Sequence, residues 1–490
     1  MRGKKAKNNI YSTVPLDYKA IARMVVKDLK RSKVYNNFVA NYTREDVRRM
    51  LKNPHSYERQ LRQLSQFLYA RSTHYMRLVE HFALMPTWSY IVVPTGVDTS
   101  KVKPKTMKTQ FQRFADFIET FNLKHEFKKA SLVAWRDDVF YGYEVRNGDS
   151  MQFMMLDPDY CAISSMEDGV FNFAFDFNYF GSRPYEMKLH MFPEEFQARY
   201  QLFAQDPINY RWQELSTDRQ IVLKVNEDRI YGLPPFVGIF EELFEIEDFK
   251  NLRKIKEEIS NYAVLAQQIP MDEKSQNAND FKIDLDTAMQ FHNKATEALP
   301  EHVGLITSPM KIQSFSFSKD KIDVDNVAAA ERDLYTKIGV SQILFNTDSS
   351  TAVGVGASLI TDEALVFAWL TQVERWLNRR AKKENSLKNA PFKTQLLNVT
   401  HHNQKETFEM ILEGATVGLP VKMMAVAVLG LSPSAMLNMT FLENDVLNLH
   451  ETLVPLQSSH TQNGKDGGAP KKPDDKLSTE GIKSRNKQQS

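Results

Sequence analysis

The stretch that decides the predicted fold is "FVGIFEELFEIEDFKNLRKIKEEISNYAVLAQQ", Phe236 to Gln268. Its large apolar residues keep to one face of a helix, and charged side chains occupy most of the remaining surface. One continuous helix of this length would extend for about 45 Å. A helix this long and this charged is typical of one that lies beside neighbouring helices rather than inside a compact core. The apolar face consists of Phe240, Leu243, Leu252, Ile255, Ile259 and Tyr262.

A second long helix is predicted at Asp323 to Gly339, "DVDNVAAAERDLYTKIG", where Asp323 or Asp325 can cap the start and the glycine can end it. Between the two helices, "HVGLITSP" and "KIQSFSF" predict short strands. The nearly neutral loop "FNTDSSTAVGVGAS", Phe345 to Ser358, comes next. A third long helix is then predicted at Leu359 to Lys383, and shorter helices at Lys405 to Leu449.

The residues before Pro235 combine helices with a small sheet. Helical spacing predicts a helix at Tyr18 to Leu29, one amphipathic helix across "YERQLRQLSQFLYARSTHYMRLVEHFALM", and another at Met107 to Phe140. "SYIVVP" and the later "KTQLLNVTHH" predict strands. Turn signals at Asn147-Gly148 and Asp168-Gly169 predict hairpins in an antiparallel sheet. The predicted fold class is α+β, mainly α. The apolar faces of the two long N-terminal helices consist of Leu61, Leu64, Leu68, Tyr75, Leu78, Val79, Phe82, Phe111, Phe114, Phe117, Ile118 and Phe121.

Composition narrows the function classes. The 490 residues, 42% hydrophobic, are ample for several cores, and the net charge of +2 is far from the basic balance of a protein that grips phosphates tightly. No stretch approaches the roughly 18 apolar residues of a membrane span, and no apolar signal segment follows the basic N-terminus, so we expect neither export nor membrane insertion. The single cysteine excludes an intrachain disulfide and suits a reducing cytoplasm.

Candidate catalytic and metal-binding motifs have plainer explanations. "GVGAS" at Gly354 resembles half of a phosphate-binding loop, but it lacks the lysine and follows a helix. His401 and His402 are adjacent, so in a strand they would point to opposite faces and could not chelate one ion. Cys161 is expected to be a buried structural thiol.

Two further motifs have structural interpretations. Asp157 and Asp159 flank a proline, a pattern typical of a turn. The interleaved aromatic and basic residues of "FQRFADFIETFNLKHEFKK" are spaced as a core face with a charged back rather than as a base-stacking surface. The prediction is a protein that is not an enzyme and has no catalytic, cofactor-binding or metal-binding residues.

The order of these pieces resembles the portal proteins of tailed bacteriophages, which form the head-to-tail connector ring at the capsid vertex. The likeness extends from about Tyr18 to Ser490 and rests on the order and spacing of several stretches. These stretches are "LRQLSQFLYARSTHYMRLVEHFALMPTWSYIVVP", "LDPDYCAI", "RIYGLPPFVGIF", "AAERDLYTKIGVSQILFN", "GASLITDEALVFAWLTQVERWLNR" and the Gly/Pro/Lys/Asp-rich tail.

The resemblance implies a division into named parts. A wing is implied at residues 1–235, completed by the long helix and strand of 359–400; stem helices at 236–268 and 322–340; a clip at 269–321; a tunnel loop at 341–358; a crown at 401–449; and a disordered tail at 450–490. The crown would be small for the family. The resemblance also implies a homo-oligomeric ring, usually a dodecamer, in the virion and, during assembly, in the host cytoplasm. Its implied partners are double-stranded DNA, the terminase large subunit, the head-completion or adaptor protein, and the major capsid and scaffolding proteins, with no membrane partner.

The tunnel loop would contact DNA in the narrowest part of the channel. Neutrality then becomes useful, because fixed cations would hold the duplex through counterion release and resist its movement. Glycines would let the loop change conformation as DNA slides. The predicted channel residues are Asn346, Thr347, Asp348, Ser349, Ser350, Thr351, Gly354 and Gly356.

Two alternatives come from other classes. The first is a ring-forming structural or scaffold component of a virion without a DNA channel, and the second is a nuclease or ATPase. The second would need a carboxylate cluster for metal ions or a complete phosphate loop, and the sequence displays neither. An ordinary solvent-exposed connection also remains possible for the loop.

Overall fold

A computed structural model describes residues 42–453 except 99, 101, 149, 182–187, 230, 262, 271–281, 299–302, 309–323, 341–351 and 389. The predicted helix at Tyr18 to Leu29, the strand-like "KIQSFSF" and the tail beyond residue 453 lie outside the described residues. The chain divides into two compact units, Met1–Ser434 and Ala435–Ser490. The fold is α+β and mainly helical, as predicted.

The described part of the first unit begins with three helices: α1 (Arg44–Lys52), α2 (Glu58–Arg71) and α3 (Thr73–Leu84). The prediction of one continuous helix across α2 and α3 is wrong, because Ser72 adopts extended backbone and its hydroxyl accepts the N–H of Tyr75 as a cap. The predicted apolar face is confirmed: Leu61, Leu64, Leu68, Tyr75, Leu78, Val79 and Phe82 are all buried.

Strand β1 (Tyr90–Pro94) is followed by α4 (Pro104–Glu119) and α5 (Leu123–Asp137). The single helix predicted at Met107 to Phe140 is therefore two, because Asn122 takes the left-handed conformation (φ 43°) and ends the run. The aromatic face of α4 nevertheless packs into the core, where Phe114, Ile118 and Phe121 are buried.

Two three-stranded antiparallel sheets follow. The first has the order β3 (Ser150–Met155), β2 (Val139–Asn147), β7 (Gln220–Lys224), and the second β4 (Cys161–Glu167), β5 (Val170–Asp176), β6 (Trp212–Glu214). Both predicted hairpins are confirmed, with Asn147 opposite Ser150 and Glu167 opposite Val170. Gly148 and Gly169 have φ of 60° and 72°, the left-handed conformation that these turns require. Helix α6 (Glu194–Gln205) packs on the second sheet.

The stretch Phe236 to Gln268 is a helix followed by a strand, so the prediction of one continuous helix is wrong. A 3₁₀ turn at Val237–Ile239 leads into α7 (Phe240–Asn261), and β8 (Ala263–Gln268) comes next. Strand β8 pairs in parallel with β9 (Val303–Ser308), the strand predicted from "HVGLITSP". Helix α8 (Leu285–Ala298) lies between them in sequence, and the three form a small βαβ unit.

Helix α9 (Val324–Ile338) confirms the second long helix, and Gly339 ends it with φ of 79°. Helix α10 (Ala352–Lys383) then crosses both antiparallel sheets. Gln372 exchanges two hydrogen bonds with the backbone of Lys224, at 3.0 and 2.6 Å, and the indole N–H of Trp376 donates to the carbonyl of Gln220 at 2.9 Å. Because these contacts are buried, α10 joins strands from distant parts of the sequence.

The strands predicted from "SYIVVP" and "KTQLLNVTHH" are confirmed as β1 and β10 (Phe392–Leu396), and the structure pairs them antiparallel with each other. Short helices follow at α11 (Gln404–Thr416), α12 (Lys422–Val428) and α13 (Pro433–Phe441). The second unit continues with a π-helical turn (Leu442–Val446) and α14 (Leu449–Thr452), so the start of the predicted disordered tail at residue 450 is wrong.

Candidate functional site

The structure leaves most of the predicted channel residues undescribed. Asn346 to Thr351 lie outside the described part of the chain, whereas Gly354 and Gly356 lie in the first turns of α10. The predicted loop end at Ser358 is therefore wrong. Residues 352–357 contain no proline or charge, and extending a formed helix costs less than starting a new one.

We call the packed helices and sheets of the first unit, without α7, the βαβ unit and α9, the body. Helix α7 leads out of the body, α9 leads back to it, and the two helices pack against each other. Their facing surfaces are apolar near the body, and the apolar face of α7 becomes uncovered further along, where Leu252 is 53% exposed. One end of the pair is therefore anchored, and the apolar face is already exposed at Leu252. The buried residues at the anchored end are Phe240, Leu243 and Ile246 of α7 and Leu334 and Tyr335 of α9.

Basic side chains of the body neutralise the first two turns of α7. Arg44 of α1 lies 3.2 Å from Glu241 and 3.1 Å from Glu245. Arg48 also pairs with Glu241 and lowers the pKa of that carboxyl. Half-exposed pairs contribute at most about 1 kcal/mol each, so the network acts mainly by fixing how α7 is oriented. Two further pairs join Lys337 to Glu242 and Arg71 to Glu247.

These pairs settle a point that helical spacing leaves open, namely which charged flank of α7 faces the body. The flank that carries Glu241 and Glu245 faces α1, so its charges are already neutralised within the chain. Lys250, which is exposed, lies on the opposite side of the helix.

One histidine links three helices at the anchored end. His74 of α3 contacts Glu331 of α9 at 3.2 Å and the Tyr335 hydroxyl at 3.0 Å, and Lys250 of α7 lies 3.2 Å from the same Glu331. Burial, together with the Lys250 ammonium, lowers the pKa of His74. The imidazole is therefore neutral at neutral pH, and the ion pair joins Lys250 to Glu331.

A cavity of about 640 Å³ lies where α9 ends and α10 crosses the body. The Trp135 indole lies nearly parallel to the rings of Phe82 and Phe236, with centroid distances of 4.8 and 6.0 Å, and these two phenylalanine rings also contact each other at 5.3 Å. Trp369 of α10 also lines the cavity and meets Trp88 edge to face. The sequence does not mark either tryptophan, because helical spacing says nothing about which side chains from separate helices meet.

Acidic and histidine side chains surround the same end of α10. His81 Nε2 lies 3.0 Å from Asp362 Oδ2, and Glu363 accepts a hydrogen bond from the Thr400 hydroxyl. His402 lies in a turn after β10, where burial and the neighbouring His81 lower its pKa. These contacts hold α10 against α3 and the chain after β10.

The other sequence candidates take structural roles. Cys161 is buried, and burial raises the pKa of its thiol well above the usual value. Asp157 caps a turn by accepting the N–H of Asp159, which itself pairs with Arg59 and Arg62. Among the described residues, no group of three or more His, Cys, Asp or Glu side chains could hold a metal ion.

Within the described ranges, no single helix is both long and apolar enough to cross a membrane. By length and composition alone, the short segments Lys422–Val428 and Pro433–Val446 reach the threshold together as a bent pair.

No family model matches the chain. The chain is 20% identical over 464 residues to the SPbeta prophage-derived uncharacterized protein YonE of Bacillus subtilis (strain 168), covering 89% of this chain and 88% of that protein. It is similar at 13% identity and a TM-score of 0.41 to a chain in the virion of a native gene transfer agent particle, covering 77% of this chain and 94% of that one. A chain in the neck of an empty particle of that kind, computed with C6 symmetry, gives the same identity and TM-score over 76% and 93%.

Proposed function

We propose that this chain is the portal protein of a tailed bacteriophage, a ring at the capsid vertex through which double-stranded DNA is packaged and ejected. The observation that carries the proposal is the order of α7, the βαβ unit, α9, a connection and α10 along the chain, together with the packing of α7 against α9. This is the order implied by the resemblance for stem, clip, stem, tunnel loop and wing helix. The prophage origin in the name of the 20% identical relative is consistent with it.

Exposed apolar surface supports self-association. Leu252 on α7, and Met289 and Phe291 on α8, are more than half exposed. Contiguous exposed apolar surface commonly marks protein interfaces. A closed ring covers such surface by repeating one heterologous contact without leaving an open end. The region of α11 and α12 adds the exposed residues Met410, Leu412, Val417, Leu419, Leu429 and Leu431.

The near-zero net charge supports a channel that binds DNA weakly rather than a protein that holds it in place. The chain carries 63 Lys and Arg against 61 Asp and Glu, and the glutamates at the start of α7 are already paired. Each tight phosphate contact would add affinity through counterion release and resist sliding. Weak, non-specific contact with the duplex is the property that a packaging channel needs.

The βαβ unit would form the core of the clip and dock the terminase large subunit during packaging, and the head-completion or adaptor protein afterwards. It starts at Ala263, so the clip includes a strand that the sequence assigned to the stem. Terminase would supply the ATP hydrolysis, and this chain would have no enzymatic role. Capsid and scaffolding proteins would surround the ring in the virion.

Electron microscopy of the purified full-length chain tests the proposal. A closed ring of about a dozen copies, with a lumen about 20 Å or more across to admit B-form DNA, is the expected result. A closed particle without a lumen would contradict the proposal and favour the structural-scaffold alternative. If the chain alone stays monomeric, the same images of particles assembled with its capsid and scaffolding proteins decide between the two.

A further inference from the structure

We propose that the groove between α7 and the junction of α2 with α3 is the docking site of residues 34–41, the apolar stretch of this chain that directly precedes Tyr42. The groove has a volume of about 480 Å³. The proposal goes beyond the portal function, because it concerns a contact within one chain and stands whether or not the chain forms a ring.

The described part of the chain begins at the groove itself. Tyr42 lines the groove, and the next residue, Thr43, is the N-cap of α1. The capping box is complete, because the Thr43 hydroxyl accepts the N–H of Asp46 and the Asp46 carboxylate accepts the N–H of Thr43. The point at which the preceding residues leave α1 is therefore fixed beside the groove.

Ion pairs give the direction in which the preceding residues run. Arg48 pairs with Glu241, and Arg44, one turn earlier in α1, pairs with both Glu241 and Glu245. Moving back along α1 therefore moves forward along α7. Continued past the start of α1, the same direction leads along the part of α7 that lines the groove.

The groove offers apolar surface to such a segment. Its apolar walls combine partly exposed aromatic rings with buried aliphatic side chains. A pocket of this kind is typical of a site that receives an apolar anchor side chain, because the rings exclude water around it. The aromatic residues are Tyr42, Phe67 and Phe244, and the aliphatic ones are Leu68, Leu243 and Ile246.

The stretch "VYNNFVAN", residues 34–41, carries matching side chains. Its four large apolar residues recur with helical spacing, and it contains no charge. Even a fully extended chain keeps Phe38 within about 14 Å of Tyr42, so the groove is within its reach. A segment tethered so close to its site binds at a high effective concentration. The four apolar residues are Val34, Tyr35, Phe38 and Val39.

Charge at the rim favours the same occupant. Glu241 and Glu245 pair with arginines of α1, whereas the exposed Asp248, one turn further along the same flank, has no basic partner within the described ranges. Asp248 lines the groove, so basic residues that flank the docked stretch can neutralise it. An exposed pair of this kind fixes orientation more than it adds stability. The basic residues just before the stretch are Lys30, Arg31 and Lys33.

Photo-crosslinking of the full-length chain tests the proposal. Phe38→p-benzoylphenylalanine keeps an aromatic ring at the position expected in the groove, and mass spectrometry locates the residues to which it attaches on illumination. We expect adducts with Phe67 or Phe244 of the same polypeptide. Asn36→p-benzoylphenylalanine is the matched control, because Asn36 lies on the polar side of the helical spacing and should give fewer adducts in the groove.

A double-mutant cycle measures the same contact in solution. Phe38→Ala and Phe244→Ala should each lower the urea midpoint of unfolding, and the double variant should lower it by less than the two shifts together. Phe249→Ala takes the place of Phe244→Ala in the control cycle, because Phe249 is also partly buried on α7 but does not line the groove. Its shift should add to that of Phe38→Ala.

The outcomes separate the possible occupants. Adducts within one chain, together with a non-additive cycle of Phe38 and Phe244, support the proposal. Adducts between chains would assign the groove to a neighbouring copy and overturn it. Additive shifts with adducts outside the groove would leave the groove to another partner and also overturn it. Ring formation is measured separately by electron microscopy, so the failure of either proposal leaves the other standing.

Discussion

Replacing Lys224 by methionine should destabilise the connection between the sheets and α7. The chain should then unfold at a much lower denaturant concentration. Lys224 and Asp138 are both fully buried, and their charged groups are in contact. The Asp138 carboxylate also accepts N–H bonds from Asn226 at 2.9 Å and Leu233 at 3.0 Å, so it fixes the loop that leads into α7. Removing one partner of a buried pair costs about 3–5 kcal/mol, because the other charge stays buried without compensation.

The penalty should depend on pH with a definite sign. Burial raises the pKa of Asp138, and the Lys224 ammonium opposes that rise. Removing the ammonium raises the folded-state pKa of Asp138 further above its unfolded value. A carboxyl of this kind favours the folded state when protonated, and that advantage is lost as pH rises through the folded pKa. The penalty of Lys224→Met should therefore be largest at pH 7 and shrink as the pH falls toward 5.

Urea unfolding followed by circular dichroism at pH 7 and pH 5 measures this effect. Lys382→Met is the matched control, because Lys382 pairs with Asp168 on the surface, with both side chains more than half exposed, and its loss should cost less than about 1 kcal/mol. Adding Asp138→Asn to Lys224→Met should recover part of the stability. A penalty below about 1 kcal/mol, or one that does not change between the two pH values, would refute this account of the buried pair.

Three further predictions concern other parts of the chain. Lysines at both Ser349 and Ser350 should slow or stall DNA packaging in vitro, because fixed cations would hold phosphates; normal packaging rates would contradict a neutral channel loop. Cys161 should react with a thiol reagent at pH 8 only as fast as the chain unfolds, because its thiol is buried with a raised pKa; rapid labelling of the native chain would show access that the structure lacks. Gly142→Ala should destabilise the chain by about 1–3 kcal/mol in urea unfolding, because the added Cβ would lie 2.7 Å from Phe140 and 2.9 Å from Ile221; a Gly238→Ala variant, with open space around its Cβ and no left-handed backbone, separates this crowding from the loss of glycine itself.

The features predicted correctly depend on local signals. The turns at Asn147-Gly148 and Asp168-Gly169 are encoded within a few residues, and so is the glycine end of α9 at Gly339. The apolar faces of α2, α3 and α4 also follow from spacing alone.

The wrong predictions concern helices that a single residue interrupts and a strand whose pairing partner lies far along the chain. Ser72 and Asn122 interrupt helices whose apolar spacing continues across the break. The spacing therefore predicted one helix in each case, although a capping residue or a left-handed residue separates two. The strand Ala263–Gln268 follows directly after a helix, and its partner Val303–Ser308 is far along the chain, so nothing local marks the change.

The candidate site was predictable only in part. The order of α7, α9, the connection and α10 could be read from the sequence, but the start of α10 at Ala352 could not. Gly354 and Gly356 disfavour a helix by composition, and no other residue there stops one. The paired flank of α7 and the cluster of Trp135 with Phe82 and Phe236 depend on side chains from separate helices meeting in space.

The late position of α10 has a consequence for synthesis on the ribosome. Its side chains complete structure made much earlier: Arg380 pairs with Glu144 across 236 residues, and Trp376 bonds to Gln220 across 156. At roughly 5–20 residues per second, the interval between Glu144 and Arg380 lasts on the order of 10–50 s. During that time the nascent sheets lack the helix that covers them. Slower initiation, which spaces neighbouring ribosomes, should therefore raise the soluble yield, and a chain truncated before Ala352 should aggregate.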